Sequence, residues 1–126
     1  MPYNILIVDD SDTVRAVITK TLGLTGVDLN EVYQASNGQE GLDLLRGGHW
    51  VDLVFTDINM PVMNGVEMFR AMQQDERLKD IPVVVVSTEG SKTRIDALTL
   101  EGIRAYIRKP FTPENLRDVL QKILGE

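Results

Sequence analysis

Short, nearly continuous apolar runs alternate with segments of helical period from one end of the chain to the other. Four runs predict strands: Tyr3 to Val8, Val51 to Thr56, Val83 to Ser87 and Ala105 to Arg108, with Glu31 to Ala35 a weaker fifth. The first three are Val, Ile, Leu and Phe with little alternation, the pattern of strands covered on both faces. Between the strands, Val14, Val17, Ile18 and Leu22 recur as one face of an amphipathic helix. Leu42 and Leu45 predict a short second helix, and Val66, Phe69 and Met72 a third that starts after Asn64-Gly65. Ile95 and Leu98 predict a fourth after Ser91. The last helix is the best defined: Thr112 can cap it, Pro113 suits its first turn, and Leu116, Val119, Leu120 and Ile123 repeat at helical spacing.

The order is therefore strand then helix, five times. Short connections and right-handed crossovers turn that order into a doubly wound α/β domain, a parallel sheet with helices on both faces. No linker rich in Pro, Gly or Ser and no charge block interrupts it, so residues 1–126 read as a single domain. Ligands of such sheets bind beyond the carboxyl ends of the strands, at the point where strand order reverses.

Composition removes several functions. The 126 residues are 43% hydrophobic and 25% charged, enough for a core without disulfides or a structural metal. Cysteine is absent, which excludes a thiolate nucleophile and a cysteine zinc site; His49 is the only imidazole and is assigned no chemistry. Met60, Met63, Met68 and Met72 read as loop and core filler, and Trp50 as a packing anchor leading into the third strand. With 13 Lys and Arg against 19 Asp and Glu, the net charge is −6 and the basic residues are scattered, which argues against nucleic acid as a partner. The amino terminus has no basic segment before an apolar stretch, and no run approaches the roughly 20 apolar residues that span a bilayer. A cytoplasmic protein without a membrane partner is expected.

The ends of the four strong strands carry Asp9-Asp10, Asp57, Ser87-Thr88 and Lys109-Pro110. Each residue alone has an ordinary explanation: Asp9 and Asp10 as caps of the helix that begins near Ser11, Asp57 as a turn residue, Ser87 as a cap, Lys109 as a solvated charge. Together they place three carboxylates, a hydroxyl and an ammonium on one edge. Two carboxylates about 4 Å apart repel by roughly 4 kcal/mol at an effective dielectric near 20, so a cation belongs there. Lys109 supplies part of it. Oxygen-only ligands on an open rim suit Mg²⁺, which keeps several waters and shares its shell with phosphate. An ionised Asp beside such an ion can attack phosphorus and form an acyl phosphate, with the ion, Lys109 and Ser87 neutralising the transferring group.

Asp9-Asp10, Asp57 within Thr56-Asp57-Ile58-Asn59-Met60-Pro61, the Asn64-Gly65 turn, Ser87-Thr88 and Lys109-Pro110-Phe111 together resemble a response-regulator receiver domain over the whole chain. The resemblance implies a flavodoxin-like fold with strand order 2-1-3-4-5 and a cis Lys109-Pro110 bond. It implies that Asp57 accepts a phosphoryl group from a histidine kinase, and that Asp10, Asp57 and the Asn59 carbonyl bind Mg²⁺, with Asp9 helping through water. Lys109 would contact the phosphoryl group, Ser87 would follow it inward, and Tyr106 would swing toward the vacated space. That reshapes a face of the fourth helix, fifth strand and fifth helix, including Lys92, Ile95, Tyr106 and Lys122. Such domains phosphorylate slowly from small donors and dephosphorylate themselves, without being enzymes in the ordinary sense.

Only Gly125-Glu126 follows the last predicted helix, so no output domain is expected and the signal passes to a protein target. Asn59, Glu89, Tyr106 and Lys109-Pro110-Phe111 resemble the single-domain chemotaxis members, whose target is of the flagellar motor switch kind. Two departures stand out. Thr88 occupies a position where many members have Ala or Gly, which would restrict access to the phosphoryl group. Gly102-Ile103 stands where Gly-Ala is frequent, and would add apolar surface near the output face. A phosphorelay shuttle that passes the group to a histidine phosphotransfer protein would use the same site. A flavodoxin-like electron carrier would share the fold, but Asp9-Asp10-Ser11-Asp12 would repel a flavin phosphate. An aspartate-nucleophile phosphatase needs DxDxT, and Ser11 stands where the second Asp belongs.

Overall fold

The computed structural model describes residues 2–88 and 90–125. Five strands, β1 (Tyr3–Val8), β2 (Leu29–Ala35), β3 (Leu53–Thr56), β4 (Val83–Ser87) and β5 (Ala105–Arg108), form one sheet in the order β2-β1-β3-β4-β5. All four neighbouring pairs are parallel. The intervening helices are α1 (Asp12–Gly23), α2 (Gly38–Arg46), α3 (Gly65–Gln73), α4 (Lys92–Glu101) and α5 (Pro113–Leu124). This is the flavodoxin-like order, and it reverses between β1 and β3.

The unbroken apolar strands resolve into two faces because successive side chains point opposite ways. Leu6, Val8, Val54, Val83 and Val85 pack with Leu42 and Leu45 of α2, Met68, Phe69 and Met72 of α3, and Leu98 of α4. Ile5, Ile7, Leu53, Phe55, Val84, Val86 and Ile107 pack with Ile18 and Leu22 of α1 and Leu116 and Leu120 of α5. Each such buried side chain contributes about 1.5–3 kcal/mol relative to exposure.

Every helix begins with a side chain that accepts from its first turn: Ser11, Asn37, Asn64, Ser91 and Thr112, with full capping boxes at Asn64–Glu67 and Thr112–Asn115. Ser11, not Asp9 or Asp10, caps α1, which leaves both carboxylates for other work.

Several sequence expectations need correction. Val17 is 50% exposed, so α1 meets the core through the narrower stripe Val14, Ile18 and Leu22. Trp50 is 75% exposed and its indole N–H donates to Asp52 Oδ1 at 3.0 Å, so it anchors nothing by packing. Ile103 is 3% exposed and belongs to the core on the α2–α4 side, so it adds no surface to an output face. β3 starts at Leu53 because Asp52 turns aside to bind Asn4, its N–H donating to the Asn4 carbonyl and its carboxylate accepting the Asn4 N–H, both at 2.8 Å. β2 starts two residues before Glu31, at Leu29; it lies at the sheet edge, where exposed Asn30 and Glu31 mask the apolar pattern.

Candidate functional site

The sheet ladder continues one residue past the strands and holds the backbone of the rim. The Asp9 N–H donates to the Ala35 carbonyl at 3.1 Å, the Asp57 N–H to Val8 at 3.0 Å, and the Lys109 N–H to Ser87 at 3.0 Å. Four strands thus converge their terminal residues on the crevice where sheet order reverses.

One carboxylate oxygen from each of Asp9, Asp10 and Asp57 lies within 4.8 Å of the others. Asp9 is 2% exposed, Asp57 is half-buried and Asp10 is open to solvent. Asp9 Oδ1 accepts the Ser11 N–H at 2.9 Å, and Asp57 Oδ1 accepts the Ile58 N–H at 2.7 Å. Each of these carboxylates therefore has one oxygen fixed by backbone, and the other faces Lys109, whose Nζ is 3.0 Å from Asp9 Oδ2 and 3.4 Å from Asp57 Oδ2. The Lys109–Pro110 bond is cis. Three carboxylates against one ammonium leave the cluster short of positive charge. Its donors are all oxygen, the set that hard divalent cations prefer.

The other site candidates fall on the same edge or beside it. Ser87 ends β4 and is 1% exposed; Thr88, next in the chain, is exposed. Asn59 lies two residues past Asp57 on the β3–α3 connection and is exposed. Tyr106 on β5 pairs in register with Val85 and is partly packed against the α2–α4 core. Lys92 is exposed at the start of α4 and ion-pairs with Asp96 at 3.0 Å, Ile95 is half-buried one turn on, and Lys122 is exposed on α5. Glu89 lies outside the described residues.

Two supporting residues escaped the sequence reading. Arg15 donates to the Asp9 carbonyl and pairs with Asp12, and its Nε reaches Gln34 Oε1 at 3.1 Å. It braces the β1–α1 turn without neutralising the Asp9 carboxylate; its only sequence signal is the three-residue spacing from Asp12. Gly65 was legible as part of a turn but its task was not. A Cβ there would sit 2.0 Å from the Asp57 carbonyl oxygen, and its N–H donates to Ile58 at 2.9 Å. The absence of a side chain lets α3 start against the backbone that carries Asp57.

Known proteins share the fold. A chemotaxis protein CheY homolog of Campylobacter jejuni is 40% identical over 121 residues, 96% of this chain and 92% of that protein. The chemotaxis protein CheY4 of Vibrio cholerae superposes with a TM-score of 0.85 at 32% identity, covering 98% of this chain and 99% of that one. A CheX–CheY–BeF3–Mg²⁺ complex from Borrelia burgdorferi has a TM-score of 0.88 at 24% identity, covering 98% of this chain and 90% of that one, and shares the fold. The response regulator receiver domain family matches residues 5–121, a span holding every strand end and carboxylate of the acidic cluster, and the chain belongs to that family.

Proposed function

We propose that the protein is the phosphorylation-activated switch of a two-component chemotaxis system, with Asp57 as the phosphoacceptor. Receiver domains are phosphoacceptor signalling domains rather than classical enzymes, and they bind Mg²⁺ at an acidic pocket. The observation that carries the reading is the placement of Asp57 Oδ2, 3.4 Å from the Lys109 ammonium and within one cluster with Asp9 and Asp10.

The donor set fits Mg²⁺: clustered carboxylates, all oxygen, with too few protein cations to balance them. Asp10, Asp57 and the Asn59 carbonyl would hold the ion, with Asp9 acting through water; when bound, the ion supplies positive charge to the transferring phosphoryl oxygens. Asp57 does the covalent work. Its Oδ2 forms a bond to phosphorus while the P–N bond of a donor phosphohistidine breaks, and the electron pair goes to the imidazole nitrogen, which takes a proton from water. The product is an acyl phosphate on Asp57. Lys109 moves its hydrogen bonds from Asp57 Oδ2 to a phosphoryl oxygen, keeping its hold on Asp9.

Ser87 then follows the phosphoryl group from the end of β4, and Tyr106 rotates into the space it leaves. The strand register that pairs β4 with β5 carries the shift to the face of Lys92, Ile95, Tyr106 and Lys122. The phosphodonor is a histidine kinase, and the downstream target is a flagellar motor switch component; the relatives' chemotaxis names support that choice over a phosphorelay. Small donors label Asp57 slowly, and the domain removes the group itself. The protein acts in the cytoplasm through its receiver domain; among the described residues no helix is long and apolar enough to cross a membrane.

Amide NMR with and without beryllofluoride and Mg²⁺ tests this function. Shifts spreading from residues 9–13, 57–60 and 109 to α4 and β5 are expected. Shifts absent, or confined to the exposed loops of another edge, contradict it.

A further inference from the structure

Val62 is the described non-glycine residue with positive φ, at 68°, and it is 82% exposed. The Met63 N–H donates to the Pro61 carbonyl at 2.7 Å across it. A bond between residues two apart with a positive central φ is the γ-turn of the strained hand. A β-branched residue is a genuine outlier in that region. The surroundings enforce the conformation: the Met63 carbonyl accepts the Gly38 N–H at 2.9 Å, the Gly65 N–H binds Ile58 at 2.9 Å, and Met60 and Met63 pack against the core. Two half-buried methionines thus hold an apolar side chain in water, at a backbone geometry that glycine or asparagine would occupy with less strain. Folding gains nothing from the valine itself.

The turn lies in the β3–α3 connection, five residues beyond Asp57, on the rim through which a phosphoryl group must arrive. Asp57 is recessed, its side chain 15% exposed, so a protein donor has to seat its surface on the rim to reach the carboxylate. Small donors do not. Beside the turn the rim offers exposed Pro61. Resting on the phosphoacceptor reading above, we infer that Val62 is a strained contact that selects the protein phosphodonor, taking an apolar recess beside the phosphohistidine. Strain retained at a functional rim is the expected companion of such a contact.

The test compares Asp57 labelling by acetyl phosphate with labelling by a panel of phosphorylated histidine-kinase cytoplasmic domains from the same genome, using the fastest donor found for the parent chain. In Val62→Asn the ratio of kinase rate to acetyl phosphate rate falls about tenfold, the loss of one buried apolar contact. The same variant melts about 3 °C higher because the strain is relieved. Val62→Ile keeps the ratio of the parent. An unchanged ratio in Val62→Asn, including an equal fall with both donors, overturns the inference while leaving the phosphoacceptor reading intact. A parent chain that neither donor labels overturns both.

Discussion

Replacing Asp10 by Asn should reverse its effect on stability according to whether a divalent ion is present. The carboxylate oxygens of Asp9, Asp10 and Asp57 lie within 4.8 Å of one another. At that separation a like-charge pair costs about 0.9 kcal/mol in water and about 3.5 kcal/mol at an effective dielectric of 20. Asp10 is exposed, so the lower figure applies, about 1 kcal/mol against each neighbour, offset in part by attraction to Lys109. Asp10→Asn is therefore more stable than the parent by about 1 kcal/mol in chelator, a rise in Tm of about 3–5 °C for a domain of this size. With Mg²⁺ at a hundredfold its dissociation constant, the parent gains about 2.7 kcal/mol and the variant loses most of that gain, so the order inverts. Urea unfolding in both buffers reads both terms. A variant that is destabilised in chelator, or that responds to Mg²⁺ as the parent does, would refute the reasoning.

Lys109→Ala removes the ammonium from a cluster in which Asp9 is almost fully buried, and should cost about 3 kcal/mol in chelator; Asp57 remains partly labelled, but the amide shifts no longer reach α4 and β5. Chemical denaturation with NMR of the labelled protein checks it. Gly65→Ala forces its Cβ against the Asp57 carbonyl and should destabilise by about 1–3 kcal/mol while slowing labelling, measured by urea unfolding and acetyl phosphate kinetics. On the far side, hydrogen bonds from Arg70 hold the Glu101 carboxyl below its usual 4.5. A depressed carboxylate contributes stability above its unfolded value and loses it as pH falls through the folded one, so Arg70→Ala should flatten the stability profile below about pH 4.5 and raise the Glu101 midpoint in an NMR titration.

Much of the fold was legible because the strands are covered on both faces. The runs at Tyr3–Val8, Val83–Ser87 and Ala105–Arg108 are the strands themselves, and Ser91 and Thr112 cap the helices that follow them. Exposure was harder to read, since hydrophobicity says that a side chain favours burial but not whether its neighbours leave room. Val17 lies beside Ile18 on α1 yet faces outward, Trp50 satisfies its N–H on Asp52 at the surface, and Ile103 fills core that a smaller residue would leave open. The site was legible for a different reason: Asp9, Asp10, Asp57 and Lys109 sit at strand ends, and the parallel topology alone gathers them. The roles of Arg15 and Gly65 and the γ-turn at Val62 depend on backbone approach and on contacts between distant segments, which no spacing along the chain reports.

The most direct measurement is the covalent one. The protein is treated with acetyl phosphate and Mg²⁺, the acyl phosphate is trapped by reduction, and the modified residue is located by peptide mass spectrometry. Modification at Asp57, lost in Asp57→Asn and abolished by chelator, is the predicted result; modification spread over other carboxylates, or persisting at the parent level in Asp57→Asn, would contradict it.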